Sequence, residues 1–469
     1  MPKAQKPRPL PLTSQDRIVI LTAGAGLFLS TLDSGIINVA LPTLMHVFHT
    51  QLTTISWTVI FYTLTLVGTI TIFGRLSDHF GRLTVYRWGL LLFGTASILS
   101  GFSTSSGMLV TFRGFQGMGA AMLQATAVAI ITTVIPRERQ GPALGSLALL
   151  MGLGPLLGPT IGGLLISVVG WPWIFWMNIP ITAVALWGCQ LLVKTPESTD
   201  RYLTLDIPGN LLLSGTALGF MGGLTMGASH GLSSAFTWIL LITSLGLLMG
   251  FLKWEGQAHR PIVDLKLFRR GTLAAPMVAI FWFGGASSLG FIIPPYYLEQ
   301  IHHLPPWQAG FANLFAPLGI VALSRMSGRL MQRIGTSGLM VAGLAGMAAA
   351  YAVLTFMRPT WSFAVLAGLL LVYGLGGGLF LSPNIAAIMG AVPLDVQGTI
   401  GAVQRMVQNL GIALDTTVVA SLVGSPIHPG VSGLMTGFRA SWAFAALTLL
   451  GSLCTLLFLM PSRRKKVPK

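Results

Sequence analysis

Four charged residues stand inside apolar stretches of the sequence, where a lipid bilayer would surround them. Asp33 lies in LDSGIINVALP, Arg113 lies in RGFQGMGAA, and Arg405 and Asp415 share the stretch RMVQNLGIALD. An ionisable side chain at the centre of a bilayer costs at least about 2.5–3.5 kcal/mol, so such residues usually mark an ion or substrate pathway. Asp33 is therefore a candidate for carrying a proton through a transport cycle. The alternative is an aspartate that only hydrogen-bonds a neighbouring helix.

Arg113 begins a polar face on its own stretch. Gln116 and Gln124 follow it at helical spacing and share that face. An arginine does not release its proton in a protein. Arg113 would therefore tune a nearby carboxylate, or it would serve as a static counter-ion to Asp33.

The later stretch carries Arg405, Gln408, Asn409 and Asp415 on one broad helical face. Arg405 and Asp415 are separated by about 15 Å of helical rise, so they cannot pair within one helix. We predict that Asp415 is a second protonatable or cation-binding site. An ion pair between Asp415 and another helix is the alternative.

The elements that carry these residues must be membrane helices. Hydrophobic residues make up 53% of the 469 residues and charged residues only 9%, and the mean hydropathy is +0.76. Many apolar runs of about 18 or more residues exclude an ordinary soluble globule. The net charge of +16 does not indicate nucleic-acid binding, because only Arg358 and Arg439 among the 28 Lys and Arg fall on the predicted outer side. This positive-inside pattern predicts cytoplasmic N- and C-termini.

We expect fourteen transmembrane helices and no large soluble domain. The predicted spans are 17–42, 54–74, 83–104, 108–135, 142–168, 173–193, 207–229, 235–253, 272–298, 306–327, 336–357, 362–390, 398–424 and 438–460. The chain then divides into a disordered cytoplasmic tail (1–16), an N-terminal six-helix bundle (17–193), a linker with inserted helices 7 and 8 (194–270), a C-terminal six-helix bundle (271–461) and a basic cytoplasmic tail (462–469). The basic tail is expected to contact anionic membrane lipid.

A repeated motif relates the two bundles. GRLSDHFG (74–81) follows predicted helix 2, and GRLMQRIG (328–335) follows predicted helix 10. The shared pattern places helices 1–6 and 9–14 in register as parallel halves. Glycines permit a tight turn, and Asp78 can pair with an arginine or a helix N-terminus. We predict a cytoplasmic latch made by Gly74, Asp78, Gly81 and Arg82, with a solvated basic turn as the alternative.

Predicted helix 5 is unusually rich in glycine. Within GLGPLLGPTIGG (152–163), glycines recur mostly every three or four residues, which gives a smooth face for another backbone. Prolines in the same helix make it bendable, and a membrane tolerates them. The motif residues are Gly154, Gly158, Pro159, Gly162 and Gly163. A packing helix without a transport role is the alternative.

These motifs resemble the major facilitator superfamily, over nearly all of the chain. The 74–82 segment is similar to its G-x-L-a-D-r-x-G-r motif, with His79 where an arginine is common, and 113–121 is similar to its R-x-x-q-G-x-g-a-a motif. The glycine spacing of helix 5 and the following WPWIFWMNIP resemble its EmrB/QacA-like drug:proton antiporters, with Pro172 in place of the usual arginine. LDSGIINVALP is similar to their L-D-x-x-I-x-N-x-A-L-P signature.

The resemblance implies an all-α polytopic membrane protein with two six-helix bundles and a two-helix insert. It implies proton-coupled efflux of hydrophobic, often cationic drugs across a bacterial cytoplasmic (inner) membrane by alternating access, and no enzyme activity. A dedicated exporter of a metabolite, amino acid, siderophore or lipid is the alternative. The proton gradient would supply the energy without a cofactor, the partners would be substrates, protons and lipid, and the need for a periplasmic adaptor stays open. Proton coupling is assigned to Asp33, Arg113 and Asp415, and the candidate substrate-binding residues are Asp33, Asn38, Gln116, Gln124, Arg405, Gln408, Asn409 and Asp415.

Overall fold

Fourteen long helices make up most of the described chain. The computed structural model describes residues 12–50, 52–192, 206–230, 234–258, 265–268, 271–304, 311–393, 396–424 and 431–459. The long helices are α1 Ser14–Val47, α2 Trp57–Phe80, α3 Arg82–Gly101, α4 Ser106–Val134, α5 Arg137–Val168, α6 Asn178–Leu192, α7 Ile207–His230, α8 Ala235–Glu255, α9 Gly271–Gln300, α10 Phe315–Ile334, α11 Thr336–Leu354, α12 Phe363–Gly390, α13 Gln397–Gly424 and α14 Val431–Leu459. Short helical segments span Leu52–Ile55, Trp173–Trp176, Leu265–Phe268 and Ala312–Leu314.

Apolar composition determines where these helices run. Eleven candidate spans in the described residues are long and apolar enough to cross a membrane, and one of them joins Trp173–Trp176 to α6. The other three long helices are α5, α7 and α10, with 32, 24 and 20 residues. Helix α9 contains three prolines, which a membrane helix accommodates because its neighbours satisfy the freed backbone groups. The predicted all-α architecture with fourteen helices is confirmed.

Helix α2 extends beyond its predicted end. It continues to Phe80, so Gly74 and Asp78 lie in its last two turns rather than in a loop. Charged residues lower the hydropathy of these turns, which is why the sequence-based span ended early. The turn itself is confined to Gly81, whose φ of 93° is strained for any other residue. Gly335 has the corresponding φ of 89° between α10 and α11.

Other helices also extend beyond their predicted spans, and two of these differences move a predicted feature. Helix α1 begins at Ser14, inside the predicted tail, because Thr13 and Asp16 form a reciprocal capping box at its start. Helix α14 begins at Val431, before its predicted start at 438, so Arg439 lies well inside the helix. Its Nε donates to the carbonyl of Met357 at 2.7 Å. The segments 1–11, 193–205 and 460–469, which include the basic tail, lie outside the described residues.

The two bundles repeat the same packing. Helices α2 and α3 pack on α4 in the first bundle, and α10 and α11 pack on α12 in the second. Where α3 crosses α4 and where α11 crosses α12, a glycine lets the two backbones approach closely. The equivalent contacts are Gly89 with the carbonyl of Gly119, and Gly343 with the carbonyl of Gly376.

Helices α7 and α8 form the insert. Helix α7 packs on α8, and it also packs on α2 and α13, which belong to different bundles. A Cβ at Gly68 of α2 would lie 3.1 Å from the side chain of Leu218 on α7. Helix α8 turns large apolar side chains outward, and Trp238 and Ile242 are 51% and 65% exposed. This pattern suits a helix that faces lipid.

The bundles meet near one end of the helices, here called the terminal face, where α1 begins and α14 ends. A Cβ at Gly74 of α2 would lie 3.2 Å from the carbonyl oxygen of Gly398 on α13. A Cβ at Gly141 of α5 would lie 3.5 Å from the Cα of Gly328 on α10. Small residues thus hold the bundles together at the terminal face.

Candidate functional site

Asp33 is the centre of a buried polar network inside the first bundle. Its side chain lies on α1, and the residue is 2% exposed. Its Oδ2 accepts from Arg113 Nη1 at 2.5 Å, and its Oδ1 accepts from Gln116 Nε2 at 2.9 Å. Asn178 Nδ2 of α6 approaches the same Oδ1 at 3.3 Å. The carboxylate therefore meets a full positive charge and two amide donors.

Arg113 is held in place by further groups from α2 and its own helix. Its Nε donates to the carbonyl of Thr58 at 3.1 Å, and its Nη1 donates to Gln116 Oε1 at 2.7 Å. The guanidinium carbon lies 4.2 Å from the ring centroid of Tyr62, which is within cation–π distance. Arg113 therefore keeps several partners when the Asp33 carboxylate is neutralised.

The network continues along α1. Gln124 Nε2 donates to Ser30 Oγ at 2.6 Å, and the Tyr62 hydroxyl lies 3.3 Å from the Ser30 carbonyl oxygen. On the other side, Gln116 Nε2 also donates to Ser97 Oγ at 2.8 Å. The structure thus brings together four predicted residues, Asp33, Arg113, Gln116 and Gln124.

The network includes residues that were not assigned from the sequence, among them Asn178, Tyr62 and Ser97. Asn178 is the first residue of α6 and belongs to the tryptophan-rich motif, so the motif was a usable signal. Tyr62 and Ser97 carry no signal of their own, because serine and tyrosine are ordinary residues of membrane helices. Only the packing of α2 and α3 around Arg113 identifies them.

The predicted latch residue Asp78 reaches the other bundle. Its Oδ1 accepts from the backbone N–H of Gly398 at 3.1 Å, and its Oδ2 accepts from the N–H and the hydroxyl of Thr399 at 3.0 and 2.7 Å. These donors form the first turn of α13, where the helix dipole favours a negative charge. Arg82 Nη2 lies 3.3 Å from Asp78 Oδ1, and Arg82 also contacts Thr133 Oγ1. Asp78 is 3% exposed, which excludes the solvated turn.

The glycine-rich motif of α5 packs against α1 at the level of Asp33. A Cβ at Gly154 would contact Leu32, a Cβ at Gly158 would lie 2.8 Å from Gly35 Cα, and a Cβ at Gly162 would lie 3.1 Å from Ile36. Gly163 points elsewhere, since the nearest described atom to its Cβ position lies 4.0 Å away. The backbones of α1 and α5 are therefore in direct contact on either side of Asp33.

Helix α13 carries a separate set of polar residues in the second bundle. Arg405 Nη1 donates to Gln408 Oε1 at 3.0 Å and contacts the sulfur of Met151 on α5 at 2.6 Å. Asp415 is fully buried, and neither of its oxygens has a hydrogen-bond partner among the described residues. The Asn409 amide nitrogen is also without one there.

Asp415 lies beside Gly285 of α9. A Cβ at Gly285 would overlap the Asp415 carboxyl group, so this glycine makes room for the carboxylate. Tyr351 and Tyr373, stacked with ring centroids 4.5 Å apart, are close enough for their hydroxyls to interact electrostatically with Asp415. The predicted alternative of an ion pair with another helix is not seen in the described part of the chain. Asp33 and Asp415 lie in different bundles and form separate sites.

For Asn38 and Pro159 the structure describes only the helical backbone, so their side chains lie outside the description.

The chain is similar to known membrane transport proteins along most of its length. Residues 23–414 match the Major Facilitator Superfamily profile. The chain is 28% identical over 455 residues to the riboflavin transporter RibZ of Clostridioides difficile. The aligned residues cover 95% of this chain and 98% of that protein. The puromycin resistance protein pur8 of Streptomyces alboniger is 31% identical over 454 residues, 92% of this chain and 88% of that protein. The crystal structure of the human organic anion transporter MFSD10 (TETRAN) superposes with a TM-score of 0.68 at 16% identity. The match covers 94% of this chain and 99% of that protein.

The chain therefore belongs to the Major Facilitator Superfamily. It is a multi-pass membrane transporter of small molecules and not an enzyme. The predicted family and its two-bundle fold are confirmed.

Proposed function

We propose that the protein exports hydrophobic, often cationic compounds across a bacterial cytoplasmic membrane in exchange for protons. The observation that carries this proposal is the buried ion pair between Asp33 and Arg113. A carboxylate buried beside a fixed cation has two chemically distinct states, charged and protonated. Protonation removes the attraction to Arg113, whereas Arg113 keeps its contacts with Thr58 and Tyr62.

Helix α1 would transmit this change to α5. Asp33 lies between the positions of α1 that Gly154 and Gly158 of α5 approach, so a shift of α1 moves α5 directly. Helix α5 also carries Gly141, which faces Gly328 at the junction of the bundles. Uptake of a proton in the first bundle would thus change the contact between bundles, as alternating access requires.

The terminal face would lie in the cytoplasm, because the basic residues of the sequence concentrate in the loops on that side. Asp78 and the N-terminus of α13 then form the cytoplasmic latch between the bundles. The hydrogen bonds from Gly398 and Thr399 to Asp78 support a closed latch in this conformation. A substrate would leave on the opposite side while it stays closed.

Relatives support export of a drug-like compound. The 31% identical protein from Streptomyces alboniger is a puromycin resistance protein. The 28% identical riboflavin transporter of Clostridioides difficile favours the alternative, a dedicated transporter of one metabolite. Both candidates use the same Asp33 network and differ only in the substrate.

Efflux of ethidium from everted vesicles under an imposed pH gradient tests the proposal. We expect wild type to move ethidium and to consume the pH gradient, and Asp33→Asn to lose both. Asp33→Asn leaves Arg113 buried without a counter-charge, which is destabilising. The double variant Asp33→Asn with Arg113→Gln removes both charges, so it should restore the amount of folded protein without restoring efflux. Asp206→Asn, at the start of α7 and outside the network, is the matched control and should transport normally.

Two results would overturn the proposal. If Asp33→Asn moves ethidium against a gradient as well as wild type does, Asp33 is not the coupling residue. If folded wild type moves riboflavin but no cation, the dedicated transporter is correct. Asp415→Asn, compared for ethidium and a neutral dye, separates proton coupling at Asp415 from cation recognition.

A further inference from the structure

Arg405 is a buried cation at the junction of the two bundles. It lies on α13 of the second bundle, is 4% exposed, and contacts the sulfur of Met151 on α5 of the first bundle. It stands six residues beyond Thr399, about 9 Å along the helix from the latch. Arg405 is therefore at a depth where a transported molecule passes between the bundles.

The hydrogen bonds of Arg405 do not balance its charge. Its partners are the neutral side-chain oxygen of Gln408 and a thioether sulfur, and sulfur is only a weak acceptor. Its Nε has no partner among the described residues. Arg113, by contrast, is neutralised by Asp33.

No carboxylate in the described part of the chain forms an ion pair with Arg405. Asp33 is paired with Arg113, and Asp78 with Arg82. Asp415 stands about 15 Å further along the same helix. A buried guanidinium without a counter-charge is costly, and burial is favoured only when an anion compensates it.

Neighbouring groups add donors and space. The amide nitrogens of Gln404 and Asn409 have no hydrogen-bond partner among the described residues. On the facing helix, a Cβ at Gly152 would meet no atom of the described residues within 4 Å. Unused donors, a positive charge and open space beside Met151 fit a ligand that brings acceptor oxygens.

We infer that Arg405 is an anion-recognition site, and that the exported compounds include molecules with a carboxylate or a similar anionic oxygen group. The planar guanidinium matches a carboxylate in geometry and bonds it more strongly than a neutral acceptor. This inference rests on the proposed function for its transport role and extends the substrate class beyond cations. The Asp33 network is not required for anion binding.

Two dyes of the same skeleton test the inference: rhodamine B, which has a free carboxylate, and its ethyl ester, which has none. Binding to the purified full-length protein in neutral detergent is measured by fluorescence anisotropy. We expect Arg405→Gln to weaken rhodamine B binding about tenfold or more, as for the loss of a hydrogen bond between charged groups, and to change ester binding less than about twofold. Arg405→Lys should retain part of the preference for rhodamine B. Arg439→Gln, in α14 near Met357, is the control and should change neither.

Thermal unfolding gives a second readout. Rhodamine B should raise the unfolding temperature of wild type and not that of Arg405→Gln, whereas the ester should act equally on both. Arg405→Gln without dye should be at least as stable as wild type, because it removes an uncompensated charge. The inference is wrong if Arg405→Gln weakens both dyes equally, or if wild type binds the ester and not rhodamine B.

The two proposals fail in different ways. If wild type exports ethidium with protons but rhodamine B binding does not depend on Arg405, only the anion site is refuted. If rhodamine B binds through Arg405 but no dye moves under a pH gradient, the anion site stands and the export function is refuted.

Discussion

The substitution Asp78→Asn should open the terminal face. The Asp78 carboxylate accepts one hydrogen bond from Gly398 and two from Thr399, all across the junction of the bundles. An asparagine offers only one acceptor oxygen. Its amide N–H groups would face the N–H donors of Gly398 and Thr399. It also removes the negative charge that faces the positive end of α13.

The magnitude follows from the number and kind of these bonds. A hydrogen bond to a charged group contributes about 1.5–3 kcal/mol, and loss of one partner of a buried charged contact costs about 3–5 kcal/mol. Taking about 3 kcal/mol as the loss, the ratio of closed to open molecules falls roughly a hundredfold. Thr399→Val removes only the hydroxyl bond, so it should cost about 1 kcal/mol and shift the ratio several-fold.

Chemical labelling of a buried cysteine measures this ratio. Ser382→Cys is a suitable reporter, because Ser382 is fully buried and its Oγ faces the carbonyl of Gly141 across the junction at 3.5 Å. The reporter is placed in a chain whose Cys189 and Cys454 are replaced, and a membrane-impermeant maleimide is applied to the terminal face. With Asp78 intact, labelling should be slow, and Asp78→Asn should increase its rate at least tenfold.

Asp16→Asn is the matched control. Asp16 also lies at the terminal face and pairs with Arg139 at 3.3 Å, but both residues belong to the first bundle. This variant should leave the labelling rate unchanged. Equal labelling of wild type and Asp78→Asn would refute the latch, and so would an equal increase in Asp16→Asn.

Further predictions concern the glycine-rich motif and the Asp33 network. Gly158→Ala should lower the free energy of unfolding by about 1–3 kcal/mol, because its Cβ would lie 2.8 Å from Gly35 Cα. Gly163→Ala should be neutral or stabilising by up to about 1 kcal/mol, since its Cβ would lie no closer than 4.0 Å to a described atom. Thermal unfolding in detergent compares the two variants, and equal losses of stability would contradict the packing. Asn178→Ala removes a donor to Asp33 and should reduce ethidium efflux about tenfold at unchanged protein abundance; unaltered efflux would show that the amide is dispensable.

The sequence was sufficient to predict the helices, the two bundles and the charged residues at the centre of the Asp33 network. Long apolar runs and the two GRL motifs predicted the fourteen helices and the two bundles. Asp33 and Arg113 were recognised because a charge is rare inside an apolar run. The end of α2 was misplaced because hydropathy falls at Asp78, whereas tertiary contact with α13 keeps those turns helical.

The partners of these residues could not be predicted. Asn178 and Asp33 are 145 positions apart, and no local pattern fixes the rotation of α6 against α1. The partners of Asp78 are backbone N–H groups 320 and 321 positions away, which every residue except proline possesses. The lack of a partner for Asp415 among the described residues is a property of packing alone, because it depends on how Gly285 and two tyrosines surround the carboxylate.

The most direct test of proton coupling at Asp33 is the proton movement that accompanies substrate movement. Purified protein is reconstituted in liposomes that contain a pH-sensitive dye, without an imposed pH gradient, and an ethidium gradient is applied. Protons should move opposite to ethidium in wild type, and this movement should disappear in Asp33→Asn and in Asp33→Asn with Arg113→Gln. If either variant still moves protons with ethidium in the wild-type ratio, Asp33 does not couple the two flows.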